Sequence, residues 1–291
     1  MSVPPRRFSL PPLPAVLLAI VSVQGGAAIA KGLFPVLGAA GTASIRIGFS
    51  ALLLLIVVRP RLGQLQRAQW HAVVPYGLAL GSMNFLFYCA LARIPLGLAV
   101  TLEFVGPLAV ALAGSRRWTD IIWVVLAGAG IALIAPWSGH GLDMLGLVFA
   151  LAAGAAWALY IVLSQRTAAV LPGSVAVSVG MLVAALLILP FGLGSGQLLH
   201  LTPHWLLLGS LLAVFSSVLP FTLEMQALKA MPTRTFSILM SLEPVAAAIS
   251  GWILLDEQLT HSQWLAVGLI VLASAGATLT SAQEQTAVGN E

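Results

Sequence analysis

Charge is scarce in this chain. Of 291 residues, 8% are Asp, Glu, Lys or Arg and 59% are hydrophobic. A soluble domain carries roughly a quarter charged residues, so this composition cannot cover a water-facing surface. It excludes an ordinary soluble enzyme or binding module and describes a polytopic membrane protein. Cysteine is nearly absent: Cys89 stands alone, closes no intrachain disulfide, and by its apolar surroundings reads as a small core residue. Histidine is kept out of the apolar runs, since His71, His140, His200, His204 and His261 all fall at loops or ends. No Gly-x-Ser-Gly signature is present either, which leaves an intramembrane hydrolase without its usual nucleophile. "HLTPH" spaces two histidines four apart, but Pro203 interrupts the helix that would align them, so no metal site is expected. The net charge of +4 rests on only 13 basic residues. Those residues lie mostly in short loops and are explained by membrane topology, not nucleic acid.

Long apolar runs are plentiful. A helix crossing the hydrocarbon core needs about 20 mostly apolar residues, and helices pair every backbone polar group internally. Ten candidate spans follow, at 13–34, 40–58, 72–92, 96–114, 120–137, 143–164, 173–194, 204–226, 233–254 and 262–281. The connections carry the helix breakers, among them "FPVLGAAG", "RPRLGQLQRAQ", "RIPLG" and "LKAMPTR". The start, "RRFSLPPLP" followed by an apolar run, has the make-up of an export signal. Nothing downstream reads as soluble cargo, so Arg6 and Arg7 are taken to hold the start of a first membrane helix in the cytosol. With the N-terminus inside, Arg6, Arg7, Arg59, Arg61, Arg67, Arg116, Arg117, Arg166, Lys229 and Arg234 fall on the inner side, and only Arg93 falls in an outer loop. That asymmetry predicts both termini in the cytosol.

Two stretches resemble each other. "ALARIP" (Ala90–Pro95) leads to Glu103, and "ALKAMP" (Ala227–Pro232) leads to Glu243. Each Glu follows a Leu and lies near a proline, Pro107 or Pro244. A weaker echo links "GGAAIAK" (Gly25–Lys31) with "GAAWALY" (Gly154–Tyr160). The repeat is five helices long, and five is odd, so the second copy enters the membrane from the opposite face. The expected fold is thus an all-α membrane protein of ten transmembrane helices in two inverted five-helix repeats. Residues 13–137 form the first repeat and 143–281 the second, with cytosolic segments at 1–12 and 282–291.

Five charged residues fall within predicted spans: Lys31, Arg46, Glu103, Glu224 and Glu243. At 1.5 Å per residue, Glu103 is about 12 Å from Pro95 and Glu243 about 17 Å from Pro232, and half the hydrocarbon core is about 15 Å. Both carboxyls are therefore expected near mid-membrane. A charge there costs about 2.5–3.5 kcal/mol on insertion scales and marks an ion or substrate path or a buried partner. The competing reading is a protonated Glu bonded to a neighbouring helix. Proline removes an N–H, so Pro107 frees the carbonyl of Glu103, Pro220 that of Ser216 and Pro244 that of Met240, each a place for a kink, a water or an ammonium. Glu224 shares a face with Ser217 and Phe221 and fits either an inner gate or snorkelling. Lys31 and Arg46 lie toward the outer ends of their predicted spans, where they either snorkel, pair with an acid or hold a substrate carboxylate. Asn84 and Tyr88 line up with Gly77 and Gly81 on one span, and Trp157, Tyr160 and Ser164 on another. Gly77 and Gly81 suit close helix packing. Asn84, Tyr88 and Trp157 suit either a pocket for a small polar solute or interhelical hydrogen bonds and interface anchors, and Tyr160 joins them as a pathway candidate.

The stretches "SVQGGAAIAKGLFP", "NFLFYCALARIPLGLAVTLEFVGPLAVAL", "GAAWALYIVLSQR", "LPFTLEMQALKAMPTRTFSILMSLEPVAAAISG" and "DEQLT" together resemble the drug/metabolite transporter superfamily, EamA type. Within it they are most similar to the bacterial inner-membrane exporters of threonine and homoserine. The likeness runs over essentially the whole chain. It carries over no settled set of site positions; Gln24, in the first of these stretches, is a further candidate pathway residue. It implies a secondary exporter of small amino acids in the inner membrane, exchanging cargo for protons by alternating access. No cofactor is expected beyond the proton gradient, and no partner beyond substrate, protons and lipid; the chain fits either a monomer or a homodimer. One departure, Asp256–Glu257 where the family often reads Gly-Glu before Leu-Thr, falls in an outer loop. An exporter of another metabolite or a cationic drug on the same fold, an intramembrane enzyme and a passive channel are the alternatives. Competition by unlabelled solutes and proton dependence separate them.

Overall fold

A computed structural model of the chain describes residues 11–113, 120–134, 143–196, 198, 202–231 and 233–288. Arg6, Arg7, Arg116, Arg117, His140 and His200 lie outside the described residues, as do the side chains of Lys229 and Arg234. Among the described residues the structure is helical, with no strand. In chain order the helices are α1 (Pro12–Gly32), α2 (Phe34–Val58), α3 (Arg67–Leu91), α4 (Leu96–Glu103), α5 (Val105–Ala113), α6 (Asp120–Ile134), α7 (Met144–Ala168), α8 (Gly173–Gly194), α9 (Pro203–Ala213), α10 (Leu219–Ala230), α11 (Thr233–Met240), α12 (Glu243–Leu255) and α13 (His261–Val288). A π-helical turn, Val214–Val218, joins α9 to α10.

Among the described residues, eight stretches are long and apolar enough to cross a membrane: Pro12–Gly32, Phe34–Val58, Arg67–Leu91, Leu96–Ala113, Met144–Ala168, Gly173–Gly194, Thr235–Leu255 and His261–Leu279. Ile121–Ile134 and Pro203–Ser217 are shorter apolar helices. The outside of the bundle is apolar, with Val21, Val57, Val125, Leu186, Ile253 and Leu272 each at least 60% exposed. In water such a surface would aggregate; against lipid chains it is matched. The chain is a multi-pass membrane protein.

Two details differ from the sequence expectation. "FPVLGAAG" is not a connection: α2 begins at Phe34, with Pro35 in its first turn, and continues through a kink where Gly38 takes φ 61°. Thr42 Oγ1 donates to the Gly38 carbonyl at 2.7 Å and steadies that kink. The consequence is that Arg46 sits twelve residues from either end of α2 (46 − 34 and 58 − 46), at its middle and not near an outer end. Cys89, expected in the core, is half-buried.

Two apolar stretches are broken helices. α4 ends at Glu103 and α5 begins at Val105. This is where Pro107, whose missing N–H cannot reach the carbonyl of Glu103, weakens the ladder. α11 ends at Met240 and α12 begins at Glu243, with Pro244 in its first turn. Glu103 thus closes one half-helix and Glu243 opens another. α4 packs on α12, α2 on α8, and α6 on α13, while α7 lies along α3 and α1 along α10. Gly77 and Gly81 face α8 with no room for a side chain, as expected of packing residues.

At one end of the bundle the chain ties distant segments together. Lys31, at the end of α1, forms an ion pair with Glu257 at 2.7 Å and donates to the Ile94 carbonyl at 2.7 Å. The other Glu257 oxygen accepts from the Leu96 N–H at 2.7 Å, supplying an anion to the first turn of α4, whose own N-cap, Pro95, offers none. Nearby, Arg93 pairs with Asp143 at 2.6 Å, and Asp143 caps α7 through the N–H groups of Leu145 and Gly146.

Candidate functional site: a polar cavity inside the bundle

The bundle holds a partly open cavity of about 320 Å³. Its wall draws on α1 (Gln24), α2 (Arg46), α3 (Asn84, Tyr88), the end of α4 (Glu103), α7 (Trp157, Tyr160), the π turn and α10 (Ser216, Ser217, Pro220, Glu224), and α12 (Glu243). Apolar side chains, Ile47, Leu80, Met83, Phe87, Met181 and Met240 among them, complete it. Gln24, Arg46, Asn84, Tyr88, Glu103, Trp157, Tyr160, Pro220, Glu224 and Glu243, scattered over the sequence, are thereby brought to one place. Lys31 is not. It takes the acid partner that was one of its three readings and lies outside the cavity wall. Pro107 and Pro244 shape the two breaks and do not line the space.

Charge in the cavity is mixed. Arg46 shares the lining with Glu103, Glu224 and Glu243. Glu103 and Glu243 are each 7% exposed. Gln24 Nε2 donates to Glu243 Oε2 at 3.3 Å. Arg46 donates to the Asn84 side-chain carbonyl, and Asn84 is itself fixed by donating from Nδ2 to the Leu80 carbonyl at 2.9 Å. The guanidinium lies over the Tyr88 ring, 5.1 Å from its centroid, a cation–π contact in a desolvated place. Trp157 is held edge-on by Phe104 at 5.1 Å, and Tyr160 is stacked on Tyr76 at 5.1 Å.

The freed carbonyl of Glu103 lies against α7 at Gly154. α7 crosses so closely here that a Cβ on Gly154 would come within 2.7 Å of the Glu103 carbonyl oxygen, and one on Gly106 would collide with the Gly154 carbonyl. The backbone of α7 therefore occupies the place considered for a substrate ammonium. At Pro220 the outcome is different. The ladder there widens into the π turn, with the Leu219 N–H bonded to the Val214 carbonyl, and this turns Ser216 and Ser217 to the cavity. Ser50 donates across to Ser217 at 3.1 Å. Sequence reasoning missed the Ser216 side chain; the signal was a serine pair four and three residues ahead of a mid-span proline, since π turns are frequent at functional sites.

A membrane bundle with broken helices meeting at a central cavity of mixed charge is the architecture of a small-solute transporter. Comparison with known proteins agrees. Residues 144–279 match the EamA-like transporter family. The threonine/homoserine exporter RhtA of Escherichia coli K12 is 46% identical over 279 residues, covering 94% of this chain and 93% of that protein. The exporter of the same name from Salmonella typhimurium LT2 matches to the same extent. The uncharacterized transporter YwfM of Bacillus subtilis is 26% identical over 80% of this chain and 81% of its own length. A protein of known crystal structure, 20% identical, shares the fold with a TM-score of 0.56 over 92% of this chain and 97% of its own. The chain belongs to the EamA-like transporter family, a family of transporters and not of enzymes.

Proposed function

We propose that this chain exports small amino acids of the threonine and homoserine kind across the bacterial inner membrane, in exchange for protons, by alternating access. The observation that carries the reading is the cavity itself, with Arg46 and three carboxyls on one wall system of amino-acid size. A zwitterion needs an anion receptor and a cation receptor. Arg46, pre-oriented by Asn84 and Tyr88, receives the carboxylate, and Glu103 with Glu243 receives the ammonium. Lys31, committed to Glu257, takes no part. A cationic drug could use the carboxyls but would bring no carboxylate for Arg46, whereas a zwitterion engages both, which favours the zwitterion as cargo.

The proposed repeat of residues 13–137 and 143–281 is supported by the matching breaks at Glu103 and Glu243 and by the packing. The pairs α2–α8, α4–α12 and α6–α13 are what a two-fold relation in the membrane plane would bring face to face, and α3 on α7 answers α10 on α1. The excess of basic residues on one side supports cytosolic termini. In the proposed cycle, protons arriving from outside neutralise Glu103 and Glu243 and release the ammonium. Loss of those protons to the cytosol restores the receptor.

The test is efflux from proteoliposomes under a pH gradient. The double variant Glu103→Gln, Glu243→Gln is expected to fold to normal abundance and lose proton-driven threonine efflux. Full proton-driven efflux in that variant would overturn the scheme.

A further inference from the structure

Four side chains of the cavity wall hold fully buried polar atoms with no hydrogen-bond partner among the described residues: Gln24 Oε1, Arg46 Nε, the Tyr88 hydroxyl and the Ser216 hydroxyl. They fall into two chemical pairs. The Arg46 guanidinium lies over the Tyr88 ring, and Arg46 Nε and the Tyr88 hydroxyl can each donate, which suits a carboxylate. Gln24 and Ser216 are of another kind. Gln24 is 3% exposed and Ser216 8% exposed. Because Gln24 Nε2 is turned to Glu243, its Oε1 is left as an acceptor only. Ser216 Oγ both donates and accepts, and it lies against α1 two residues further on, where a Cβ on Gly26 would collide with it.

We infer that Gln24 and Ser216 form a subsite for a hydroxyl group on the substrate's side chain, so that the cavity selects hydroxylated small amino acids over hydrocarbon ones of the same shape. The inference rests on the amino-acid reading above. With the carboxylate taken by Arg46 and the ammonium by the glutamates, the cargo's third polar group is the one these atoms meet. A hydroxyl donates one bond and accepts others, matching an acceptor-only amide oxygen and a two-way serine hydroxyl. An ammonium only donates and a carboxylate only accepts. A site built to bond a hydroxyl discriminates strongly against an analogue without it, because its own buried groups are then left unpaired.

The position is fixed by backbone geometry. Ser216 is aimed inward by the π turn that Pro220 permits, and α1 comes close because residue 26 is glycine. Gln24 is held by Glu243, so the hydroxyl receptor and the ammonium receptor share one hydrogen-bonded wall.

The full-length chain in proteoliposomes, exchanging labelled threonine, gives the test. Unlabelled threonine and valine are compared as inhibitors, then homoserine and norvaline, each pair differing by a hydroxyl for a methyl. The wild type is expected to prefer the hydroxylated member of each pair by at least about tenfold. Ser216→Ala is expected to cut that preference about tenfold by weakening threonine and homoserine while leaving valine and norvaline unchanged or improved. Gln24→Met is expected to move it the same way, so the subsite stands on a second variant should the first fail to fold. A wild-type preference kept in both variants overturns the subsite and leaves amino-acid export standing. A wild-type chain that exchanges none of the four amino acids overturns the export reading and the subsite with it.

Discussion

A guanidinium in the middle of a membrane helix is stable only if its surroundings take over from water. Arg46 has the Asn84 carbonyl on one side and the Tyr88 ring face on another, and its Nε points to no protein partner among the described residues. Its planar fork can hold a carboxylate with two parallel bonds, which a lysine ammonium cannot. Arg46→Lys keeps the charge and is expected to raise the KM for threonine export about tenfold or more with protein abundance unchanged; an unchanged KM would remove Arg46 from substrate binding. At this scale the sequence was partly legible. Charges and prolines in apolar runs marked Glu103, Glu243, Glu224 and Arg46, since each is costly there without a reason. Lys31 carried the same signal for a different reason: its partner, Glu257, is more than two hundred residues away, and spacing along the chain holds no trace of that contact. Ser216 was missed because a serine in an apolar helix is ordinary until the helix widens beside it.

The broken helices depend on a tight crossing. The end of α4 and the start of α5 lie against α7 at Gly154 and Gly106, where backbone meets backbone. Gly154→Val would push two methyl groups and a Cβ toward the Glu103 carbonyl, and overpacking of this sort costs about 1–3 kcal/mol. A fall of several degrees in the melting temperature of the detergent-solubilised protein is expected, together with loss of export as Glu103 is displaced. An unshifted melting curve would mean that the end of α4 does not lie tight against α7. Such breaks were readable in outline, because proline has a fixed effect four residues upstream. Where the freed groups go was not readable: at Glu103 a neighbouring helix brings a glycine backbone against the carbonyl, and ahead of Pro220 the helix's own ladder widens into a π turn. Helix ends were read least well. α2 runs through "FPVLGAAG" because Pro35 is well suited to a first helical turn and the kink at Gly38 bends the helix without ending it.

Across the whole molecule, two ion pairs at the same end join segments far apart in sequence, and their environments make them unequal. Lys31 and Glu257 are 21% and 14% exposed, and each carries a further backbone bond, to Ile94 and from Leu96. Arg93 and Asp143 are 40% and 36% exposed. Screening by water leaves an exposed pair with little influence on stability, whereas removing one member of a largely buried pair strands the other. Glu257→Gln leaves the Lys31 ammonium unpaired and weakens the anion at the start of α4, so it is expected to lower stability by about 1–3 kcal/mol. Asp143→Asn is expected to leave the melting temperature within error at neutral pH. The hydrogen bond from Arg93 holds the Asp143 carboxyl below its ordinary range. A carboxyl depressed by folding stabilises the fold above its unfolded pKa and loses that contribution only as the pH drops through its folded value. The small contribution of Asp143 is therefore constant from neutral pH down to mild acid and fades below the ordinary carboxylate range. Melting curves of the wild type and the two variants in one detergent, at neutral pH and in acid, check this ranking. Asp143→Asn melting as low as Glu257→Gln at neutral pH would show that burial does not set the order of the two pairs.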